Sequence, residues 1–303
     1  VSSTRTLRAL LAYAIRKFET AGLAYGHGTT NALDEAAWLI LHALGLPLDE
    51  LNPHLDEPLD EARYAAAKRL IERRVRTRKP TAYLTREAWI GPHPFYVDER
   101  VIVPRSYIGE WLRPPTGRAS TGDRPLVPFG GTSGLSPVSI LDLCTGSGCL
   151  AILAALCFPE AQVDAADLSE DALAVARRNV ADYALGGRVE LIRSDLFAAL
   201  GGRRYDLIIS NPPYVKAASM RKLPDEYRKE PQMALASGAD GLDHTRVILR
   251  DAAKHLNPGA MLVVEIGHNR KALERAYPKL PFEWPEASAG AGYVFTLRRE
   301  QLV

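Results

Sequence analysis

The chain has 303 residues, enough for about two domains at roughly 150 residues each. Its 47% hydrophobic content suits a packed core, and a formal charge of +2 excludes binding driven by bulk charge alone. No apolar run reaches the ~18 residues of a membrane span, and Val1–Leu11 lacks the apolar core of a signal peptide. Three cysteines (Cys144, Cys149, Cys157) without CxxC spacing favour neither a disulfide framework nor a zinc site, and the seven histidines show no ligand spacing. A reduced, cytoplasmic, metal-free protein is expected.

Residues 1 to about 80 read as helical. Leu7, Leu10, Leu11, Ala14, Ile15 and Phe18 recur at three- and four-residue spacing, giving one apolar face. A second helix fits Leu33 to Leu44 with Trp38, Leu41 and Leu44 inward, stopped by Gly45 and Pro47. A third begins after Pro58 and runs through Ala62, Ala65, Ala66, Leu70, Ile71 and Val75. Its far end is basic, with Lys68, Arg69, Arg73, Arg74, Arg76, Arg78 and Lys79 close together. That run fits a solvated face whose cations suit a helix C-terminus, or a phosphate-contacting patch for RNA.

From Thr81 to Pro104 the period changes to two. Ala88-Trp89-Ile90, Phe95-Tyr96-Val97 and Val101-Ile102-Val103 around Gly91-Pro92 suggest a hairpin joining two domains. Residues 113–137 are rich in Pro, Gly, Ser and Thr and read as a long loop. Strands then alternate with helices. Strands fit Val138–Leu143, Gln162–Ala166, Val189–Ile192, Leu207–Ser210 and Met261–Ile266; helices fit Cys149–Phe158, Glu170–Tyr183 and Leu242–His255. This is an α/β pattern with a doubly wound, mostly parallel sheet. Tyr293–Leu297 suggests an antiparallel last strand beside Phe282–Trp284. The expected division is a helical N-terminal domain (1–80), a linking β-hairpin (81–112), a Pro/Gly-rich loop (113–137) and a sheet domain (138–303).

Three constellations carry chemistry. Thr145-Gly146-Ser147-Gly148 turns from a buried strand into a helix, where backbone amides can approach a phosphate or the carboxylate of an amino-acid-like cofactor. This turn alone does not separate a nicotinamide cofactor from S-adenosylmethionine. Asp167 closes the next strand, where a carboxylate can accept from two ribose hydroxyls; Ser169 can cap the following helix without it. Asp195 with Leu196, after the third strand, could meet the exocyclic amine and ring of an adenine.

Asn211-Pro212-Pro213-Tyr214 decides the class, at the C-terminal end of the fourth strand, where ligands bind in open parallel sheets. An amide nitrogen is a poor nucleophile because its lone pair is delocalised. A site that methylates it should hold both N–H bonds and leave the lone-pair face toward the methyl donor. The Asn211 side-chain oxygen and the Pro212 carbonyl can accept those bonds, proline stiffens the loop, and Tyr214 can pack on the planar amide. No metal and no prior activation are needed, because a sulfonium is already a strong electrophile.

In this order the motifs resemble the class I S-adenosylmethionine-dependent methyltransferases with an Asn-Pro-Pro-Tyr signature, whose sheet is Rossmann-like. Along nearly its whole length the chain resembles the HemK/PrmC and PrmB family of protein-glutamine N(5)-methyltransferases. Tyr83-Leu84, Ala88-Trp89, Phe95 to Val101, Val103-Pro104-Arg105-Ser106 and Leu143 to Cys149 resemble the PrmB branch most. The resemblance implies S-adenosylmethionine as donor, held by residues 145–148, Asp167, Asp195 and Leu196. It implies a glutamine received by Asn211 through Tyr214, with Arg105 near the site entrance and Glu265-Ile266-Gly267 at the end of the fifth strand. The implied partner is a glutamine-bearing loop of a large-subunit ribosomal protein, L-three, free or within a ribosome precursor. The N-terminal domain would bind that substrate, and the 68–79 run is the candidate rRNA contact. The alternatives are a release-factor glutamine methyltransferase and a catalytically weak ribosome-assembly binding protein.

Overall fold

The computed structural model describes residues 5–112 and 138–302. The expected loop 113–137 lies outside the described residues. Helices α1 (Leu7–Thr20), α2 (Ala32–Leu44) and α3 (Glu61–Thr77) pack around Leu7, Leu10, Phe18, Leu39, Ile40, Leu41 and Ile71. Each starts on a side-chain cap: Thr6 accepts from the Ala9 amide, Asn31 from Asp34 and Asp60 from Arg63. Such a cap is worth about 1 kcal/mol.

The basic run does not form one surface. Arg74 is fully buried against Glu35 and Glu226, Arg78 binds Glu226 and the Ala21 and Gly22 carbonyls, and Lys79 binds Glu99. Only part of the expected face, Arg69, Arg73 and Arg76, is exposed without an acidic partner among the described residues. The periodicity could not show this, because the acids that claim Arg74 and Arg78 come from distant parts of the chain.

Strands β1 (Glu87–Ile90) and β2 (His93–Tyr96) form the expected antiparallel hairpin. Val101–Val103, expected as part of it, pairs with no strand. Its backbone groups go elsewhere: the Val103 N–H to Glu230 at 2.9 Å and the Val101 carbonyl to the Tyr83 hydroxyl. The side chains of Val97, Val101 and Val103 join Trp38 and Tyr83 in an apolar cluster with Ala172 and Val175 of the sheet domain. The linker is thus buried against both neighbours.

The sheet runs β3 (Ser139–Leu143), β4 (Gln162–Asp167), β5 (Val189–Arg193), β6 (Tyr205–Ser210), β7 (Leu256–Glu265) and β8 (Val294–Arg298) in the order β8-β7-β6-β3-β4-β5. All neighbours are parallel except β8 against β7. The last strand lies beside β7 and also meets the 282–284 stretch, through an antiparallel Glu283–Thr296 bridge and through Phe282 and Trp284 packed edge-on to Phe295. Helices α4 (Cys149–Cys157), α5 (Glu170–Asp182) and α6 (Asp243–His255) connect the strands. α4 is apolar all round because it is covered all round: Leu150, Ala151, Leu153 and Ala154 are buried with the sheet residues Ile140, Leu207 and Val263. A second core on the other face holds Leu141, Ile208, Leu262 and Phe295. The order reverses between β3 and β6, so the ends of β3, β4 and β6 open into one crevice.

Candidate active site

The β3–α4 turn is built from behind by Asp142. Its Oδ2 accepts from the Thr145 hydroxyl at 2.6 Å and the Ala151 amide at 3.0 Å. Full burial pushes this carboxyl up to about 7 against those two bonds. The Ser147 carbonyl accepts from Asn179 at 2.8 Å, and a Cβ on Gly148 would meet that of Ala176 at 3.1 Å. The Thr145, Ser147 and Gly148 contacts therefore shape the turn, while Cys144 and Gly146 line a cleft open to solvent.

Asp167, at the end of β4, lines the same cleft. Its Oδ2 accepts from the Gly146 amide and its Oδ1 from the Ser169 amide, each at 2.9 Å. Ser169 itself caps α5 through the Ala172 amide at 3.2 Å. Burial raises the Asp167 carboxyl above its ordinary value. Each oxygen retains a lone pair for a ligand hydroxyl. Asp195 and Leu196 line another part of the wall; Leu196 sits at φ 47°, where its carbonyl accepts from Ser194 Oγ at 2.6 Å. The Asp195 side chain has no hydrogen-bond partner among the described residues. Leu168 and Met233 stand exposed at the rim.

A second cleft adjoins the first. Asn211 lines both. Pro212, Tyr214 and Arg105 line the second and Pro213 the first, so the expected donor and acceptor residues meet along one seam. Among the described residues the Asn211 side chain has no hydrogen-bond partner, and its oxygen is free to accept. Tyr214 points its hydroxyl at Glu265 Oε1, 3.4 Å away. Glu265 Oε2 accepts from Ser106 Oγ at 2.7 Å and the Tyr107 amide at 2.9 Å. Burial pushes this carboxyl up to about 7 although those bonds and Arg105 pull it down. Burial, with Glu265 adding, likewise raises the Tyr214 phenol.

Residue-by-residue reading of the sequence missed much of these walls. Gly26 of the N-terminal layer and Tyr107, Tyr227, His268 and Tyr293 line the second cleft, and Cys144, Pro231 and His244 the first. The 223–235 segment carried only loop composition, so nothing marked it as a wall. Burial pushes the Cys144 thiol up, with Asp167 and Asp142 adding to it, so it stays a thiol.

Family models match in two places: a methyltransferase small domain over residues 134–238 and a PrmC N-terminal domain over residues 9–85. A relative from Neisseria meningitidis serogroup B named ribosomal protein uL3 glutamine methyltransferase is 56% identical, over 98% of this chain and 94% of its own. Relatives of the same name from Burkholderia pseudomallei and Bordetella pertussis are 51% and 50% identical, again over 98% of this chain and 96% of theirs. This chain belongs to the ribosomal protein uL3 glutamine methyltransferase family. It is a class I methyltransferase, and the donor of the family is S-adenosylmethionine. The first cleft fits that donor. A Cβ built on Gly146 would stand in open space, so the backbone there is uncovered, and the uncommitted lone pairs of Asp167 and the Asp195 carboxylate face the same volume. Among the described residues no His, Cys, Asp and Glu group could hold a metal ion, and no helix is long and apolar enough to cross a membrane.

Proposed function

We propose that this chain methylates the side-chain amide nitrogen of a glutamine in ribosomal protein uL3. The observation that carries the reading is the seam: one residue with an uncommitted amide oxygen, Asn211, lies on the wall of both clefts. S-adenosylmethionine supplies an electrophilic methyl group when bound. Asp167 would accept from its ribose hydroxyls, the Gly146 backbone would approach the amino-acid end, and Asp195 with Leu196 would meet the adenine. Asn211 Oδ1 and the Pro212 carbonyl would take the two N–H bonds of the substrate amide, turning the nitrogen's lone-pair face to the donor. Pro213 keeps that turn stiff, Tyr214 packs on the amide plane, and Arg105 holds the segment around it. Orienting the nucleophile in this way is the main source of acceleration, since no proton has to be removed before attack.

The N-terminal helical region (1–80) serves in this reading as the substrate-binding domain, the segment 81–112 that carries the hairpin as its linker and residues 138–303 as the methyltransferase domain. Of the basic run, Arg69, Arg73 and Arg76 form the surface that would touch rRNA in a ribosome precursor. A ribosomal-protein substrate goes with a cytoplasmic site of action, and the unbridged thiols Cys144 and Cys149 accord with a reducing compartment.

The test is mass spectrometry of tryptic peptides from uL3 and from a peptide chain release factor, each incubated with the protein and donor. One methyl group on a uL3 glutamine is expected. Methylation of the release factor alone would overturn the choice of substrate, and no methylation of either would overturn the reading.

A further inference from the structure

Residues 224–231 form a wall between the two halves of the molecule, and two buried carboxylates tie it down. Glu226, with no exposed surface, takes Arg78 at 3.0 Å and Arg74 at 3.5 Å, both from the N-terminal layer. A 3-10 turn, Tyr227–Lys229, then brings Glu230 to the linker side. Glu230 Oε1 accepts from the Val103 amide at 2.9 Å and from Arg105 Nη1 at 2.6 Å; Oε2 accepts from Arg105 Nη2 at 2.8 Å. His27 Nε2 lies 3.6 Å from Oε2, and its ring packs on Tyr227 with centroids 4.3 Å apart. The same segment lines both clefts: Pro231 the first, Tyr227 the second. Arg105 also donates from Nη1 to the Val103 carbonyl at 3.1 Å. Three of its N–H groups are therefore spent, leaving the Nε–H and one Nη2–H without partners among the described residues, on a side chain that lines the second cleft.

We infer that Glu230 is a positioning residue for the acceptor cleft: it fixes the Arg105 guanidinium so that its two free N–H groups hold main-chain carbonyls of the glutamine-bearing segment. The inference rests on the proposed methylation of a protein glutamine. A two-point grip on a planar guanidinium sets direction as well as distance, which a lone charge would not. Because Glu230 also takes the Val103 amide and stands beside His27, the linker and the Gly26 loop are held to the same anchor. The wall of the cleft contributed by the N-terminal layer is thereby kept in register with Asn211.

The experiment uses full-length protein and four forms: wild type, Glu230→Gln, Arg105→Met and the double variant. Initial rates are measured with uL3 varied at saturating donor, donor affinity by calorimetry, and amide hydrogen exchange over residues 24–28 and 101–107. Glu230→Gln should raise KM for uL3 at least ~10-fold with kcat changed less, and leave donor affinity within about twofold. The KM penalty of the double variant should be smaller than the product of the two single penalties, because Glu230 acts largely through Arg105. Exchange should quicken in both segments together. Losses that multiply in the double variant, a donor affinity that weakens as much as KM rises, or unchanged exchange would each overturn the inference. If wild type fails to methylate uL3 the proposed function falls, and the exchange measurement still decides whether Glu230 anchors the cleft. Should Glu230→Gln not fold, Arg105→Lys keeps a cation beside Glu230 while losing the two-point grip, and gives the same split between KM and kcat.

Discussion

The Tyr214 hydroxyl reaches Glu265 Oε1 at 3.4 Å, and the other oxygen of that carboxylate is already taken by Ser106 and Tyr107. The tyrosine that ends the Asn-Pro-Pro-Tyr turn is thus oriented by the last residue of the neighbouring strand. Ionised Glu265 accepts from Tyr214, whereas the protonated acid must place its own hydrogen among donors. With the carboxyl held at about 7, turnover should rise as pH climbs through neutrality. The kcat–pH profile of Glu265→Gln should lose that inflection. The idea is wrong if the inflection persists unchanged in the variant.

Glu265 and a second buried acid, Asp142, set a stability trend. Glu265 and Asp142 both stand near 7, above their ordinary values of 4.5 and 3.8. A raised carboxyl binds its proton more tightly when folded, so its contribution is full below the ordinary value and is lost as pH rises through about 7. Melting temperature should therefore fall between mildly acidic and mildly alkaline pH. Asp142→Asn should flatten part of that fall, since an amide keeps an oxygen for Thr145 and Ala151 without a charge to bury. A steeper fall in the variant would show that Asp142 is ionised and stabilising.

Asp167 offers a third test. Asp167→Ala removes the proposed ribose acceptor, which should cost about 2–4 kcal/mol of donor binding. It also frees the Gly146 and Ser169 amides, so some stability goes with it. Asp167→Asn separates the two, keeping one oxygen for a backbone amide while losing the charge. Calorimetry with wild-type affinity in both variants would remove Asp167 from the donor site.

Much of this was legible beforehand, for local reasons. Apolar periodicity marks α1, α2 and α3 because each buries one face, and the short apolar stretches Ile140-Leu141 and Leu207-Ile208-Ile209 mark β3 and β6 because both faces are covered. Asn211–Tyr214 stood out through a residue combination that places an amide acceptor at a strand end. The rest depends on partners far apart in sequence. Arg74 looks like any cation on a basic helix until Glu35 and Glu226 close on it, 39 and 152 residues away in the numbering. Val101–Val103 has strand composition but no strand to pair with, because Glu230 and Tyr83 take its backbone. Composition does not encode either contact.

The corrected basic surface changes how electrostatic docking should be tested. Arg69, Arg73 and Arg76 reversed to Glu should weaken methylation of a ribosome precursor more at low salt than at high salt, with donor affinity intact. Arg74 must be left alone. Removing one partner of a buried pair costs about 3–5 kcal/mol and would be read as lost function. Equal losses at all salt concentrations would speak against an electrostatic contact.

Asn211→Ala should keep donor affinity and lose turnover by a factor of at least ~100, about 3 kcal/mol in the barrier, since one orienting acceptor is gone. Asn211→Asp retains an acceptor and adds a charge near the sulfonium. It should bind donor at least as well as wild type yet turn over slowly, because ground-state stabilisation raises the barrier. Near-normal turnover of the Ala variant would end the assignment of Asn211 as the residue that positions glutamine.

Gly267 gives the most local test of the acceptor cleft. It sits at φ 53°, and a Cβ there would come within 2.7 Å of Tyr214 Cε2 and 3.0 Å of Cδ2. The ring cannot yield without leaving Glu265, so Gly267→Ala should displace the Tyr214 hydroxyl as well as strain the backbone. Turnover should drop ~10-fold or more while donor affinity, set in the other cleft, stays put. The strain itself is controlled by Gly91→Ala in the β1–β2 turn, at φ 56° with open space around its Cβ. That variant should lose about 1 kcal/mol of stability from the left-handed backbone and nothing in turnover. If both variants lose the same stability and neither loses turnover, the Tyr214 ring does not touch the substrate amide. If only Gly267→Ala loses turnover, with its donor affinity intact, the ring position is what the glycine protects.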